Sequence, residues 1–296
     1  MLLKGFAMGM ADIVPGVSGG TVALITGVYQ DLIESISSFN RSFFSKILKK
    51  EFQAAFKQVN LPFLLTLFTG IILAVISMSR VMHFFMDEYS ILTWSLFFGL
   101  ILASIIFVGK TVENILTLKN LGFVMLGTII GYSIVSLIPV TTPNSFIMIF
   151  LSGCIAICAM ILPGISGSFI LLILGKYLYI TSALKNPFNL ESITIISIFS
   201  FGCLLGLLSF SKILNFLLKS YHNITMCILT GFMIGSIKKI WPWKEVLESK
   251  IIRGKIHVLR EVNILPPELN TEVIMAFSLM IIGIVLVLVL ERLNKK

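Results

Sequence analysis

Charge is what this sequence has least of. Of its 296 residues only 12% are Asp, Glu, Lys or Arg, against roughly 25% in an ordinary soluble domain, while 57% are apolar. That deficit excludes a soluble globular enzyme. It is deepest at residues 120–175, a run of 56 between Lys119 and Lys176 with no Asp, Glu, Lys or Arg, which belongs in lipid or inside membrane protein. Histidine is scarce too. His83, His222 and His257 are isolated, and none lies in an apolar run beside an Asp or a basic cluster, so the acid–base pair of a membrane phosphatase is missing. Cys154, Cys158, Cys203 and Cys227 all fall in apolar runs, away from any His or carboxylate at ligand spacing, which argues against zinc and disulfides alike. No small-residue cleavage pattern follows the first apolar segment, so the N-terminus reads as mature. Nothing calls for a cofactor.

What charge there is comes as 23 basic against 14 acidic residues, net +9, gathered in the connections between apolar runs. Basic connections suit anionic lipid headgroups, with nucleic acid a distant second. Six further uncharged runs, the first between Asp12 and Asp31 and the last between Glu272 and Glu291, have 18 to 22 residues each, close to one bilayer crossing of about 20.

The chain repeats itself, as transporters built from two similar halves do. At an offset of 148, Gly5, Pro15, Gly16, Ser18, Gly19, Gly27 and Tyr29 match Gly153, Pro163, Gly164, Ser166, Gly167, Gly175 and Tyr177. At 132, the segment 70–105 aligns with 202–237 through ten identities, among them Gly70/Gly202, Tyr89/Tyr221, Thr93/Thr225 and Gly99/Gly231; an unrelated apolar pair would share about three or four. The change of offset places an insertion before Gly70, most simply the charged stretch Arg41 to Lys57, which reads as an amphipathic helix on the membrane surface. Two membrane repeats follow, 1–140 with the insertion at about 36–60, and 141–296 with a polar connection at about 241–271 that holds a small hairpin or short helices. Each repeat has three ordinary spans, near 61–79, 90–109 and 120–138, then 192–211, 223–240 and 273–290.

The Pro-Gly segments differ. About 13 helical residues before Pro15 reach only some 20 Å, short of the roughly 30 Å hydrocarbon core, and Pro followed by Gly breaks a helix. Each is expected to be a re-entrant hairpin. A hairpin plus three spans is an odd number of crossings, so the expected fold is an all-α polytopic membrane protein of two inverted repeats; a fully spanning broken segment gives parallel repeats instead. With the N-terminus inside, 13 basic residues fall on the cytoplasmic side and 10 outside, which scarcely fixes orientation.

A break in lipid exposes backbone groups that something must satisfy. The loop residues Pro15, Gly16, Ser18, Gly19, Gly20 and Thr21, with Pro163, Gly164, Ser166, Gly167 and Ser168, combine close-approaching amides with hydroxyls, chemistry that suits phosphate or carboxylate. Close helix packing is the plainer explanation for any single copy; the duplication favours a site. Asp12 carries a coupling proton or sodium, or caps the loop amides. Arg80 and Lys212, at equivalent span ends, receive a headgroup from each leaflet or snorkel as anchors.

Asp12-Ile-Val-Pro-Gly-Val-Ser-Gly-Gly-Thr21 with Gly27-Val-Tyr29, and Leu162-Pro-Gly-Ile-Ser-Gly-Ser-Phe169 with Gly175-Lys-Tyr177, resemble the two signatures of the bacterial polyprenyl-phosphate transporter family, and the similarity covers almost the whole chain. The resemblance implies a protein of the bacterial cytoplasmic membrane, not an enzyme, that returns undecaprenyl phosphate across the membrane for reuse in cell-wall synthesis; the loop chemistry then puts Ser18, Gly19, Ser166 and Gly167 on the phosphate, with Arg80 or Lys212 passing it to each leaflet. Ala103 stands where the family has Gly, and the 241–271 connection has no match. The rival expectation is an ion-coupled carrier of a small soluble anion. A homodimer is left open.

Overall fold

The computed structural model describes every residue except 15, 186, 187, 253, 254, 267, 295 and 296, and only the backbone of 185, 249–252, 255–260, 293 and 294. In the first half, α1 (Leu2–Ile13) stops at the Pro-Gly motif, and two short helices follow, α2 (Gly19–Ile25) and α3 (Tyr29–Ser37). Gly16 and Gly27 turn the chain at φ 86° and 70°, a region open to glycine and strained for other residues. The turn brings the chain back to its entry point, where the Lys4 ammonium donates to Thr26 O at 2.5 Å. The expected surface helix is two, α4 (Arg41–Leu48) and α5 (Phe52–Gln58), parted at Lys50 with φ 61°. Three long helices complete the half, α6 (Leu61–Glu88), α7 (Ser90–Lys110) and α8 (Leu118–Val135).

The second half repeats this order with α9 (Phe146–Ile161), α10 (Gly167–Ile173), α11 (Tyr177–Lys185), α12 (Leu190–Ser220) and α13 (His222–Ile240). Gly164 and Gly175 turn it at φ 84° and 65°. Again the chain comes back beside its entry: Val140 N donates to Ile173 O at 2.8 Å, and the buried Lys176 ammonium donates to the carbonyls of Thr142 and Pro143 at 2.7 and 2.8 Å. The polar connection forms an antiparallel hairpin, β1 (Lys244–Ile252) and β2 (Lys255–Asn263), before the last helix, α14 (Thr271–Asn294).

The fold is otherwise all-α and that of a multi-pass membrane protein. Among the described residues five helices, α6, α7, α8, α12 and α14, are long and apolar enough to cross a bilayer. Though expected to be a sixth span, α13 falls outside that set because its ends are polar, at His222, Asn223, Lys238 and Lys239. Most of its length is covered by protein, with Cys227, Met233 and Ser236 buried. With 28 and 31 residues, α6 and α12 overrun the expected spans, because about 42 and 46 Å of helix exceeds a 30 Å core and lets the charged ends project. Arg80 and Lys212 therefore stand two turns inside helix ends.

The sequence equivalences recur in the backbone. The chain turns from α6 to α7 at Tyr89 (φ −129°, ψ 47°) and from α12 to α13 at Tyr221 (φ −134°, ψ 45°). At both, a threonine hydroxyl, Thr93 or Thr225, donates to the tyrosine carbonyl at 2.9 Å. Glycines seat the helices backbone to backbone: Gly5 on Leu67 and Gly70 on Leu2 join α1 to α6, as Gly153 on Phe199 and Gly202 on Phe150 join α9 to α12. The other pairs exchange partners between halves, with α7 on α14 through Gly99 and Gly283, and α8 on α13 through Gly127 and Gly231. The equivalent helices α7 and α13 run antiparallel. Glu113 and Asn223 bond at one end, and Trp94 and Lys239 both flank Gly16 at the other.

Candidate functional site

The two broken-helix loops meet each other. Breaking α9 at Leu162 leaves its last carbonyls without intrahelical donors, and the first hairpin supplies them. The Ser18 hydroxyl lies 3.1 Å from both Met160 O and Leu162 O, and Tyr29 donates to Ile161 O at 3.2 Å. In return, Gly164 N donates to the Thr21 hydroxyl at 3.1 Å. The backbones come so close that a Cβ on Gly20 would lie 2.5 Å from Ile161 O, so only glycine fits there. Gly16 to Thr21 and Pro163 to Gly167 are all buried.

The two loops are not chemically alike. Ser18 caps α2 by accepting from Gly20 N at 3.1 Å, and Asp12 accepts from Gly19 N at 2.7 Å; the capping role weighed for Asp12 is thus present, and the first loop's leading amides are occupied. The equivalent of Asp12 is Met160. Accordingly α10 has no side-chain cap, and the Ser166 hydroxyl pairs instead with that of Ser168 at 2.7 Å. Of the expected site residues the structure brings together Asp12, Gly16, Ser18 to Thr21 and Pro163 to Ser168. Pro15 lies outside the described residues. Arg80 and Lys212 are exposed on α6 and α12, and among the described residues no hydrogen bond or ion pair joins either to the loops.

The cation at the loops is one the sequence did not single out. The stem of Lys239, at the end of α13, comes within 3.2 Å of where a Cβ on Gly16 would be, and its ammonium lies 4.9 Å from the centre of the Phe169 ring on α10, so it touches both hairpins. Lys244 lies beside it, 4.7 Å over the Trp94 ring and donating to Lys239 O at 2.7 Å. Glu261 on β2 bridges them, with Oε1 at 2.7 Å from Lys239 Nζ and 2.9 Å from Lys244 Nζ. Burial lowers the Lys244 pKa to about 8 despite Glu261. Burial alone would raise that of Glu261, yet Lys244 and Lys239 together hold it below the usual carboxylate range. A Cβ on Gly164 would lie 2.7 Å from Ser236 Oγ and 3.1 Å from Met233 Cα. The second loop thus packs on the stretch of α13 from Phe232 to Ser236, between the helix centre and its Lys239 end.

Beside the first loop a cavity of about 700 Å³ opens between α1, α2, α6, α7 and α14, its walls including Met10, Val17, Val22, Phe97, Leu100 and Leu286. Its size falls within the roughly 300–1,000 Å³ of small-molecule sites. The lining threonine and serine hydroxyls are engaged: Thr21 accepts from Gly164 N, while Thr26, Thr93 and Ser104 donate to carbonyls of their own or the preceding helix. What the cavity offers a ligand is hydrocarbon.

Fold and site together define a multi-pass membrane protein in which paired broken helices meet beside buried cations and an apolar chamber. The undecaprenyl phosphate translocase-like (VCA0040-like) family matches residues 8–258. The chain is 42% identical over 301 residues to the polyprenyl-phosphate transporter of Vibrio cholerae, covering 99% of this chain and 96% of that protein. It is 33% identical over 260 residues to the polyprenyl-phosphate transporter of Staphylococcus aureus, covering 81% and 85%. The chain belongs to this family. No solved structure matches it.

Proposed function

We propose that this protein carries undecaprenyl phosphate, or a polyprenyl phosphate of similar build, across the bacterial cell membrane, returning the lipid carrier for another round of envelope synthesis. The observation that carries this reading is the junction of the two loops, where buried backbone and hydroxyl groups, a lysine touching both hairpins and an apolar chamber adjoin one another. A phosphate headgroup and its first isoprene units need these surroundings side by side. A small soluble anion has no use for the chamber.

Two finer statements belong to the same reading. The return of each hairpin to its entry point and the antiparallel course of α7 and α13 support re-entrant segments within inverted repeats, the arrangement in which one site serves both leaflets in turn. Asp12, a carboxylate at the loop junction, takes the coupling proton or sodium while still holding Gly19. Ligand-dependent stability of the purified protein tests the substrate class, because whatever binds the folded state alone raises its unfolding midpoint. Undecaprenyl phosphate is expected to raise the midpoint more than undecaprenol does, and inorganic phosphate or sulfate not at all. Stabilisation by the soluble anions with none by the lipid would favour the rival carrier.

A further inference from the structure

One carboxylate oxygen held between two ammonium groups is an anion site already filled. The Glu261, Lys239 and Lys244 side chains are only 24%, 21% and 11% exposed, and the lysines are walled by Trp94, Phe169 and the Gly16 turn rather than by water. Two cations against one carboxylate leave this cluster itself net positive, while Asp12, the other carboxylate at the junction, is turned to Gly19 N. A phosphate monoester carries about −1.5 to −2 near neutral pH and three acceptor oxygens, so it neutralises the pair better than Glu261 does. Residue 16 is held to glycine here, since a Cβ there would press on the Lys239 stem at 3.2 Å, so the phosphate takes the place that the Glu261 carboxylate vacates. A further donor lies in the same apolar cluster as Val14, Val17 and Trp94: the Trp243 indole N–H is buried, with no acceptor among the described residues. Glu261 can leave without unfolding the connection. The base of the hairpin is fastened separately, by Asn263 Nδ2 on Lys238 O at 2.9 Å and Trp241 Nε1 on Ile264 O at 2.8 Å.

We propose that Lys239 and Lys244 form the seat for the lipid's phosphate and that the side chain of Glu261, on β2 two residues from the fastened base of the hairpin, occupies this seat until the headgroup displaces it. The inference rests on the polyprenyl-phosphate reading and adds the residues that take the headgroup and the anion that must give way. A mere staple between hairpin and bundle would show the same ion pairs but would be indifferent to the ligand.

The test uses the full-length protein in lipid nanodiscs, titrated with undecaprenyl phosphate and, separately, with undecaprenol. Glu261→Gln should tighten undecaprenyl phosphate binding roughly tenfold, the worth of one charge-assisted contact, and Lys239→Gln or Lys244→Gln should weaken it by at least that factor, with undecaprenol binding unchanged in all three. In the unaltered protein, where misfolding of a variant is not at issue, amide exchange across 244–263 should rise on adding undecaprenyl phosphate and not on adding undecaprenol. Unchanged or weaker lipid binding by Glu261→Gln, or hairpin exchange indifferent to the phosphate, would overturn the seat while leaving the transport reading standing, provided the unaltered protein binds the lipid. If the unaltered protein binds no polyprenyl phosphate, the transport reading fails and the seat with it. Inorganic phosphate freeing the hairpin as readily as the lipid does would overturn the lipid assignment.

Discussion

Ser18 and Ser166 are equivalent in the repeat, yet the structure gives them unequal work. Ser18 is 1% exposed; its oxygen caps Gly20 N while its hydroxyl is shared between the carbonyls of Met160 and Leu162. In Ser18→Ala the cap is lost, at about 0.5–2 kcal/mol, and a buried carbonyl loses its donor, at about 1–3 kcal/mol. Allowing for partial relaxation, the expected destabilisation is about 2–4 kcal/mol. Among the described residues the Ser166 hydroxyl bonds only to that of Ser168, so Ser166→Ala should cost about 0.5–1.5 kcal/mol. Reversible unfolding of both variants in one detergent, without lipid ligand, measures the difference. Equal losses, or a larger loss for Ser166→Ala, would refute the asymmetric junction and favour two interchangeable anion loops.

Asp12→Asn keeps an oxygen for Gly19 N and trades a charge-assisted bond for a neutral one, so stability should fall by no more than about 1.5 kcal/mol while any proton or sodium dependence of transport disappears; retained ion dependence would assign the coupling elsewhere. Leu100→Trp, which fills the chamber from α7, should weaken binding of undecaprenyl phosphate and undecaprenol alike, and a loss confined to the phosphate form would mean that the tail lies elsewhere. Binding of the phosphate lipid should weaken as pH rises through about 8, where Lys244 gives up its proton beside Lys239 and Glu261. The sign for folding is opposite: an unfolded lysine titrates near 10.4, so between about 8 and 10 the unfolded chain holds a proton that the folded one has released, and this group's contribution to stability rises with pH. Affinity that is flat from pH 7 to 9 would contradict the role of Lys244.

The broken helices were legible because Pro-Gly interrupts an apolar run too short to cross, and doubling of the motif marked both loops as more than packing. The partners of those loops were not. Lys239 has Phe107 as its repeat equivalent, so no symmetry drew attention to it, and a lysine at a helix end ordinarily reads as an interfacial anchor. Only the packing of α13 places it between Gly16 and Phe169, and only the hairpin register returns Glu261 to Lys244, 17 residues away in sequence. Hydroxyls show the opposite limit: Ser18 and Thr21 look like anion donors in sequence, but in the fold they hold the other hairpin, because a broken helix must place its own carbonyls and amides first. Charge usually stops a span, which puts span ends at Arg80 and Lys212 in the sequence, whereas α6 and α12 continue past them.

The most direct measurement is leaflet exchange in vesicles. Purified protein is reconstituted with undecaprenyl phosphate in both leaflets, and an impermeant phosphatase is added outside. With the unaltered chain the whole pool should be dephosphorylated; with Ser18 and Ser166 both replaced by Leu, which wedges the loop junction, hydrolysis should stop once the outer leaflet is consumed. Complete hydrolysis with the wedged variant, or an unaltered chain that stops at the outer leaflet, would contradict passage of the headgroup between the two broken helices.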